Sequence, residues 1–475
     1  MNIAFIPVYI HFLGIEAYGL VGAFTIILMS ATLLDAGMTP TLNREMARFV
    51  AGAHDTQSIG NLLRSIELLC AGIVLAVWIV GIIIAGWLAR NWLGTSSFSP
   101  ETLRIVVALM IVTASLRVVE GVYRGALLGL QRHVTMNVCG AIFATLRGAG
   151  AALAIMFIAP TVEVFFLWQA GTLLVSVMTF GMFVHRALPR PPSPPVFSAS
   201  ALNEVRSFAG GVLMTSVLAL MLTQIDKILL VRILPLQVFA YYALAGAVVA
   251  GLYQLVTPVS QSYYPRLTEF FARNDNRALA TAYHGGAQLL AATVAPPAAL
   301  MIFFADPILR IWTGNQEVTH NVAPILTLLA IGSLLHTMMY MPYMLQLAAG
   351  WSGFAVRVNA IAVCVLVPAI FVVVPRYGAL GAAAIWVALT TCYVVGSAHF
   401  MHRRLLPEEK WRWYLHDIGL PVGAAMGVTG LAAVAFPVDF STSGTIAFLS
   451  ATGLGAFAIA LLTLRPVRRR LRFAS

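Results

Sequence analysis

The sequence predicts an all-α integral membrane protein. It reads as about fourteen transmembrane helices: two six-helix lobes related by a pseudo-twofold axis along the membrane normal, then two further helices. Three observations predict this. Of the 475 residues, 60% are hydrophobic and only 10% charged, with mean hydropathy +0.87, whereas soluble domains carry about a quarter charged residues. Apolar runs long enough to cross a ~30 Å hydrocarbon core recur along the whole chain. The two halves also echo each other at a nearly constant offset. Such a composition excludes a soluble enzyme, a disordered chain and a fibre. An outer-membrane barrel is excluded because its strands of about ten residues alternate polar and apolar positions, and these runs do not.

Taken in order, residues 1–14 (MNIAFIPVYIHFLG) read as the end of a first helix. Fourteen residues rise only ~21 Å, short of a full crossing. Either this is a half-span or the helix starts upstream of Met1, and the second reading is adopted. Full spans follow at 17–38, 65–87, 102–123, 137–158, 162–184, 207–229, 237–258, 282–305, 322–345, 354–374, 379–400, 416–436 and 444–464. Pro296 and Pro297 interrupt one span and Pro342 another. Mid-span prolines either hinge a moving helix or kink a static one. The first residues lack the basic segment of a cleavable signal peptide.

Charge orients the chain. Lys+Arg is 29 against 18 Asp+Glu, a formal charge of +11. Loops after even-numbered spans, plus the tail, hold 21 of the basic residues and loops after odd-numbered spans hold 5. This is the positive-inside pattern, so both termini are expected to be cytoplasmic and the tail RPVRRRLRF to lie on the anionic leaflet. The excess charge is thus assigned to topology rather than to nucleic acid. The two lysines, Lys227 and Lys410, lie outside any P-loop pattern. Cys70, Cys139, Cys364 and Cys392 fall inside apolar runs and read as small core residues. No loop is long enough for a soluble catalytic domain, so an enzyme is not expected.

The internal repeat sets the domains. Ala17–Ala23 (AYGLVGA) matches Tyr241–Ala247 (YYALAGA), and Thr41–Ala51 lies against Ser262–Ala272. Asn137 pairs with Asn359, and Phe183-Val-His185-Arg186 with Phe400-Met-His402-Arg403. Each copy holds six spans, so both have one orientation, as in parallel-repeat transporters with a pathway between the lobes. The expected division is 1–188, a first lobe with a truncated opening helix; 189–206, a cytoplasmic linker; 207–405, the second lobe; and 406–475, two extra helices for lobe support or lipid contact, with a basic tail.

The motif Leu13-Gly14-x-Glu16-Ala17-Tyr18-Gly19, followed by Leu33-Leu34-Asp35-x-Gly37 and Arg44-Glu45-x-Ala47-Arg48, resembles the opening of the polysaccharide-biosynthesis, O-antigen-type flippases. These belong to the multidrug/oligosaccharidyl-lipid/polysaccharide exporter superfamily. Gly125-x-x-x-Gly129-x-Gln131-Arg132, Asn137, Gln224-x-Asp226-Lys227 and Tyr264-Pro265-Arg266-Leu267 extend the resemblance over nearly the whole chain. It implies translocation of undecaprenyl-diphosphate-linked oligosaccharide from the cytoplasmic to the periplasmic leaflet of a bacterial inner membrane. Alternating access, ion or proton coupling in some members, and no cofactor are implied with it. Membrane lipids and the lipid-linked glycan are the implied partners, with polysaccharide polymerase and chain-length machinery as candidates and no nucleic acid.

Such cargo calls for a cationic, hydrated cavity, and charges inside spans are costly enough, about 2.5–3.5 kcal/mol each on insertion scales, to face a cavity or a partner. Arg147, mid-span among small residues, reads as a diphosphate or sugar contact or else as half of a structural ion pair. Arg117, Glu120 and Arg124 share one helix face at i, i+3 and i+7. They form either a cavity wall or a snorkelling helix end. Lys227 is a further candidate substrate contact, or a lysine that snorkels. Asp226 is a candidate proton or cation carrier. Arg44, Arg48 and Arg266 are either diphosphate-capturing or gating residues, with Glu45 and Glu269, or simply topology-setting charges. Asp35 is expected at the interface. His399 and His402 are spaced i, i+3, but with no carboxylate or thiol beside them a metal site is not expected. A lipid II flippase and a cation-coupled drug exporter are the alternatives, and the second would favour an acidic cavity.

Overall fold

The structure, a computed structural model, describes residues 5–35, 37–91, 98–437 and 440–464. Every regular element among them is helical. Residues 1–4 of the expected partial helix, and the tail arginines from Arg465 onward, lie outside the described residues. Ten helical segments among the described residues are long and apolar enough to cross a bilayer. The chain is a multi-pass membrane protein. It divides into two compact units, Met1–Ala240 and Tyr241–Ser475.

The first unit holds α1 (Ile6–Leu13), α2 (Ile15–Ser30), α3 (Met38–Val50), α4 (Thr56–Asn91), α5 (Pro100–Gly129), α6 (His133–Phe157), α7 (Val162–Ala187) and α8 (Ala199–Ile233). Its centre is α5, against which α3, α4 and α7 pack. In lipid the hydrophobic effect does not separate helix from helix, so close backbone approach and van der Waals packing must hold them. Gly121, Gly125 and Gly129 form such a small-residue row on α5. A β-carbon on Gly125 would stand 2.7 Å from the Thr39 carbonyl oxygen, and one on Gly129 2.8 Å from Met46 Cβ.

One element departs from the hydropathy reading. The expected span over 17–38 ends at Ser30, a 3-10 turn covers Ala31–Leu33, and α3 makes the Arg44–Arg48 segment a helix rather than a loop. Met38, Leu42, Glu45 and Met46 are buried while Arg44 and Arg48 face outward. That one-sided pattern is helical although the segment is too polar to read as a span. Asp35 organises its start. Its carboxylate accepts from the Thr39 N–H at 3.0 Å and from the Thr39 hydroxyl at 2.7 Å.

The Pro-rich connector after α7 is fastened. Gln57, Asn61 and Ser65 lie i, i+4, i+8 on α4 and accept from three backbone N–H groups: Ser193 at 3.1 Å, Val196 at 3.0 Å and Ser198 at 2.8 Å.

From α9 (Leu236–Ala272), which crosses the division, the chain continues through α10 (Asn276–Phe303), α11 (Ala305–Thr313), α12 (Gln316–Met338) and α13 (Tyr340–Ala348). Then come α14 (Ser352–Cys392), α15 (Ala398–Leu405), α16 (Lys410–Arg412), α17 (Leu420–Val434) and α18 (Thr442–Leu462). The helix α14 is broken at Gly378 (φ 58°), which separates the two spans expected at 354–374 and 379–400. Pro342 stands just after the break between α12 and α13, in keeping with the clash of its ring with the turn before it. Pro296 and Pro297 instead lie inside a continuous α10. The small buried residues of α10 (Ala287, Ala291, Ala295, Ala298) let α12, α17 and α18 close on it. The last two spans are therefore built into the second unit. Two stretches widen to π-helix, Tyr393–Ser397 and Trp413–Gly419.

Candidate functional site

Two arginines of the first unit, from neighbouring spans, meet on one carboxylate. Glu120 of α5 has no exposed surface. Arg117, one turn earlier, pairs with its Oε2; Arg147 of α6 reaches Oε1 at 3.4 Å, and the Ser176 hydroxyl of α7 donates to Oε1 at 2.7 Å. Two guanidinium groups on one carboxylate leave one net positive charge. The Arg117 side chain is 44% exposed and that of Arg147 18%. Three consecutive carbonyls of α6 around Arg147 accept side-chain bonds: Leu146 from Trp168 Nε1 at 2.9 Å, Arg147 from Gln169 Nε2 at 3.3 Å and Gly148 from the Tyr9 hydroxyl at 2.8 Å. The helix turn that carries Arg147 is thereby fixed by α1 and α7. Such an arrangement can hold an anion at Arg117 while Glu120 keeps both arginines in place.

The other expected site residues lie apart from this cluster. Arg124 leaves the Glu120 pairs and stacks over the Phe180 ring at 5.6 Å. Lys227 Nζ lies 3.4 Å from Gln224 Oε1. Asp226 is half-buried and in no ion pair among the described residues. Arg44 and Arg48 flank buried Glu45 at 3.6 and 2.9 Å, and His54 Nε2 joins it at 2.7 Å. Arg266 is exposed, and Glu269 pairs with Arg273 at 2.8 Å rather than with Arg266. The expected gate of these five residues is thus two local pairings plus Arg266. His399 Nδ1 accepts from Lys410 Nζ at 2.9 Å, while His402 meets the Tyr283 hydroxyl at 3.1 Å. No group of three His, Cys, Asp or Glu placed to hold a metal occurs among the described residues.

A model of the family described as polysaccharide biosynthesis protein matches residues 11–318. The chain belongs to this family. A Shigella flexneri protein named as a candidate O-antigen transporter is 20% identical over 384 residues, covering 79% of this chain and 87% of that protein. Among solved structures, the inward closed lipid II flippase MurJ superposes with a TM-score of 0.68 at 12% identity, covering 95% of this chain and 98% of its own. An inward-facing multidrug resistance MATE family transporter of the MOP superfamily superposes at 0.65 and 17% identity, over 86% and 94%. The fold is the one shared by these two solved structures, and the relatives with a described role are transporters and flippases, not enzymes.

For a member of this family, two further networks stand out that sequence reasoning missed. In the first unit Glu67 accepts from the Tyr123 hydroxyl at 3.0 Å and meets His185 Nε2 at 2.8 Å. In the second unit His284 of α10 bonds Asp417 through Nδ1 and Glu409 through Nε2 at 2.8 Å, and Gln288 Nε2 donates to Asp417 at 2.7 Å. Burial alone would raise the Glu409 carboxyl, but His284 and Arg412 beside it outweigh this and hold it below its ordinary range. The available signal was the same in each case, an acid or a histidine standing inside an apolar run. The pairings join residues 56 to 133 positions apart, which spacing cannot reveal.

Proposed function

We propose that this protein carries polyprenyl-diphosphate-linked oligosaccharide from the cytoplasmic to the periplasmic leaflet of a bacterial inner membrane, for O-antigen or exopolysaccharide assembly. The observation that carries the reading is the Glu120 cluster, whose single surplus positive charge is presented by a half-exposed Arg117. A diphosphate offers bidentate acceptors that match guanidinium geometry. A drug cation would be repelled by the same charge. Membership of the polysaccharide biosynthesis family supports a glycan cargo.

In this reading 1–188 and 207–405 are two six-helix lobes that alternate access to a pathway between them, with both termini cytoplasmic. Arg44, Arg48 and Arg266 capture the diphosphate at the inner leaflet, Arg117 and Arg147 hold it, and Arg124 and Lys227 make further contacts. Asp226 carries the coupling proton or cation. Polymerase and chain-length proteins are the downstream partners. The fold shared with a lipid II flippase makes lipid II the second reading, which differs only in cargo.

The test is the sidedness of lipid-linked glycan in intact cells lacking the gene. Labelling from the periplasmic face should fall, and return with the wild type but not with Arg147→Ala at equal protein level. Undiminished labelling in the deletion strain, with lipid II exposure impaired instead, would move the assignment to the second reading.

A further inference from the structure

The second unit contains a cavity of 200 Å³ between α12, α13, the first part of α14 and the π-helical stretch at Tyr393–Ser397. None of the described residues that line it is Asp, Glu, Lys or Arg. Its walls are aromatic. His336 lies 5.8 Å from the rings of Tyr253 and Tyr340, and 5.3 Å from Trp386. Two of the polar groups are held in place: the Tyr253 hydroxyl meets His336 Nδ1 at 3.2 Å, and the Tyr393 hydroxyl donates to Asn359 Oδ1 at 3.0 Å.

What remains in the cavity is unused hydrogen-bonding capacity. Gln346 is 3% exposed, lines the cavity, and its side-chain amide has no hydrogen-bond partner among the described residues. The Asn359 amide nitrogen, the second ring nitrogen of His336 and the Tyr340 hydroxyl likewise have none. Buried amides are normally satisfied. One buried amide and three half-buried polar groups, none paired within the protein among the described residues, thus offer a ligand both donors and acceptors around one space. The π-helical widening at Tyr393–Ser397 contributes two of the lining residues, and such widenings often mark functional positions.

We infer that this cavity is a binding site for one neutral sugar ring. A pyranose presents hydroxyls that donate and accept on its rim, and an apolar C–H face that stacks on aromatic rings. The lining offers no cationic side chain among the described residues to pair with a diphosphate, a charge that a neutral sugar ring does not carry. The inference rests on the reading of the cargo as a glycan, to which it adds a second contact point, one for sugar, inside the second unit.

The test uses the full chain in nanodiscs, purified without glycoside detergents, with the methyl glycosides of glucose, galactose, mannose and N-acetylglucosamine as probes. Saturation-transfer NMR should give saturable transfer to the ring C–H protons of at least one. Gln346→Leu and Tyr340→Ala should each weaken binding by roughly five- to ten-fold. Gln346→Leu also serves as the folding control, because it removes an unmet amide: its unfolding temperature should equal or exceed that of the wild type. Transfer that is absent, that does not saturate, or that survives both substitutions would overturn the site. Export of glycan in cells is scored separately. Sugar binding without export overturns the proposed function and leaves the site standing; export without sugar binding does the reverse.

Discussion

Glu120 can neutralise one arginine and has two, and this inequality decides what each substitution does. Removing Arg147 leaves Glu120 with Arg117 and the Ser176 hydroxyl, so the loss of stability should be about 1–3 kcal/mol. Removing Glu120 instead strands two like charges and should cost more, about 3–5 kcal/mol. The pair Glu120→Gln with Arg147→Gln should therefore restore protein level and unfolding temperature while glycan export stays lost. Export recovered together with stability would make Arg147 purely structural. Asp226 differs in having no ion-pair partner among the described residues. If it carries the coupling ion, Asp226→Asn should abolish the dependence of transport on external pH or sodium, read in vesicles with an imposed gradient, at unchanged protein level. A gradient response equal to that of the wild type would remove Asp226 from the coupling scheme.

Among helices, the contact of α3 with α5 is the most demanding because backbone meets backbone. A β-carbon on Gly125 would press on the Thr39 carbonyl, which cannot swing away as a side chain does. Gly125→Ala should lower the unfolding temperature in detergent, with a cost of about 1–3 kcal/mol. Gly72 has open space around it, so Gly72→Ala should not do so. At the joint of α10 with the π-helix before α17, Glu409 supplies a pH signature. Its carboxyl is held below its ordinary value of 4.5. A depressed carboxyl stabilises the fold above its unfolded value, and that contribution is lost as pH falls through the folded one. The difference in unfolding temperature between wild type and Glu409→Gln should thus be constant above pH 4.5 and shrink below it. Spans and their bounding turns were legible because lipid imposes length and apolarity. The α3 helix was not, since its core stripe is diluted by Arg44, Glu45 and Arg48. Nor was the π-widening at Tyr393–Ser397, which no residue pattern announces.

At the scale of the whole chain, composition was enough for the membrane class, because it acts through many residues at once, and short motifs spread from Leu13 to Leu267 were enough for the family. Arg117, Glu120 and Arg147 could be picked out singly as charges in the wrong solvent, yet their meeting on one carboxylate required the packing of α5, α6 and α7. The neutral aromatic cavity of the second unit left no trace in the sequence, since tyrosines and an amide within apolar spans are ordinary there. The fastened connector after α7 bears on how this molecule can be handled. Connectors between helices usually tolerate insertions and splitting of the chain, because their backbone is exposed and unbonded. Between Pro189 and Ser198 prolines remove half the amide protons, and three of those left are already given to Gln57, Asn61 and Ser65. A reporter domain or protease site placed there would have to pull the strap off α4, so this proline-rich connector inside the first unit is a poor place to open the chain. The turn around Asn274, between α9 and α10, is the better place to open the chain.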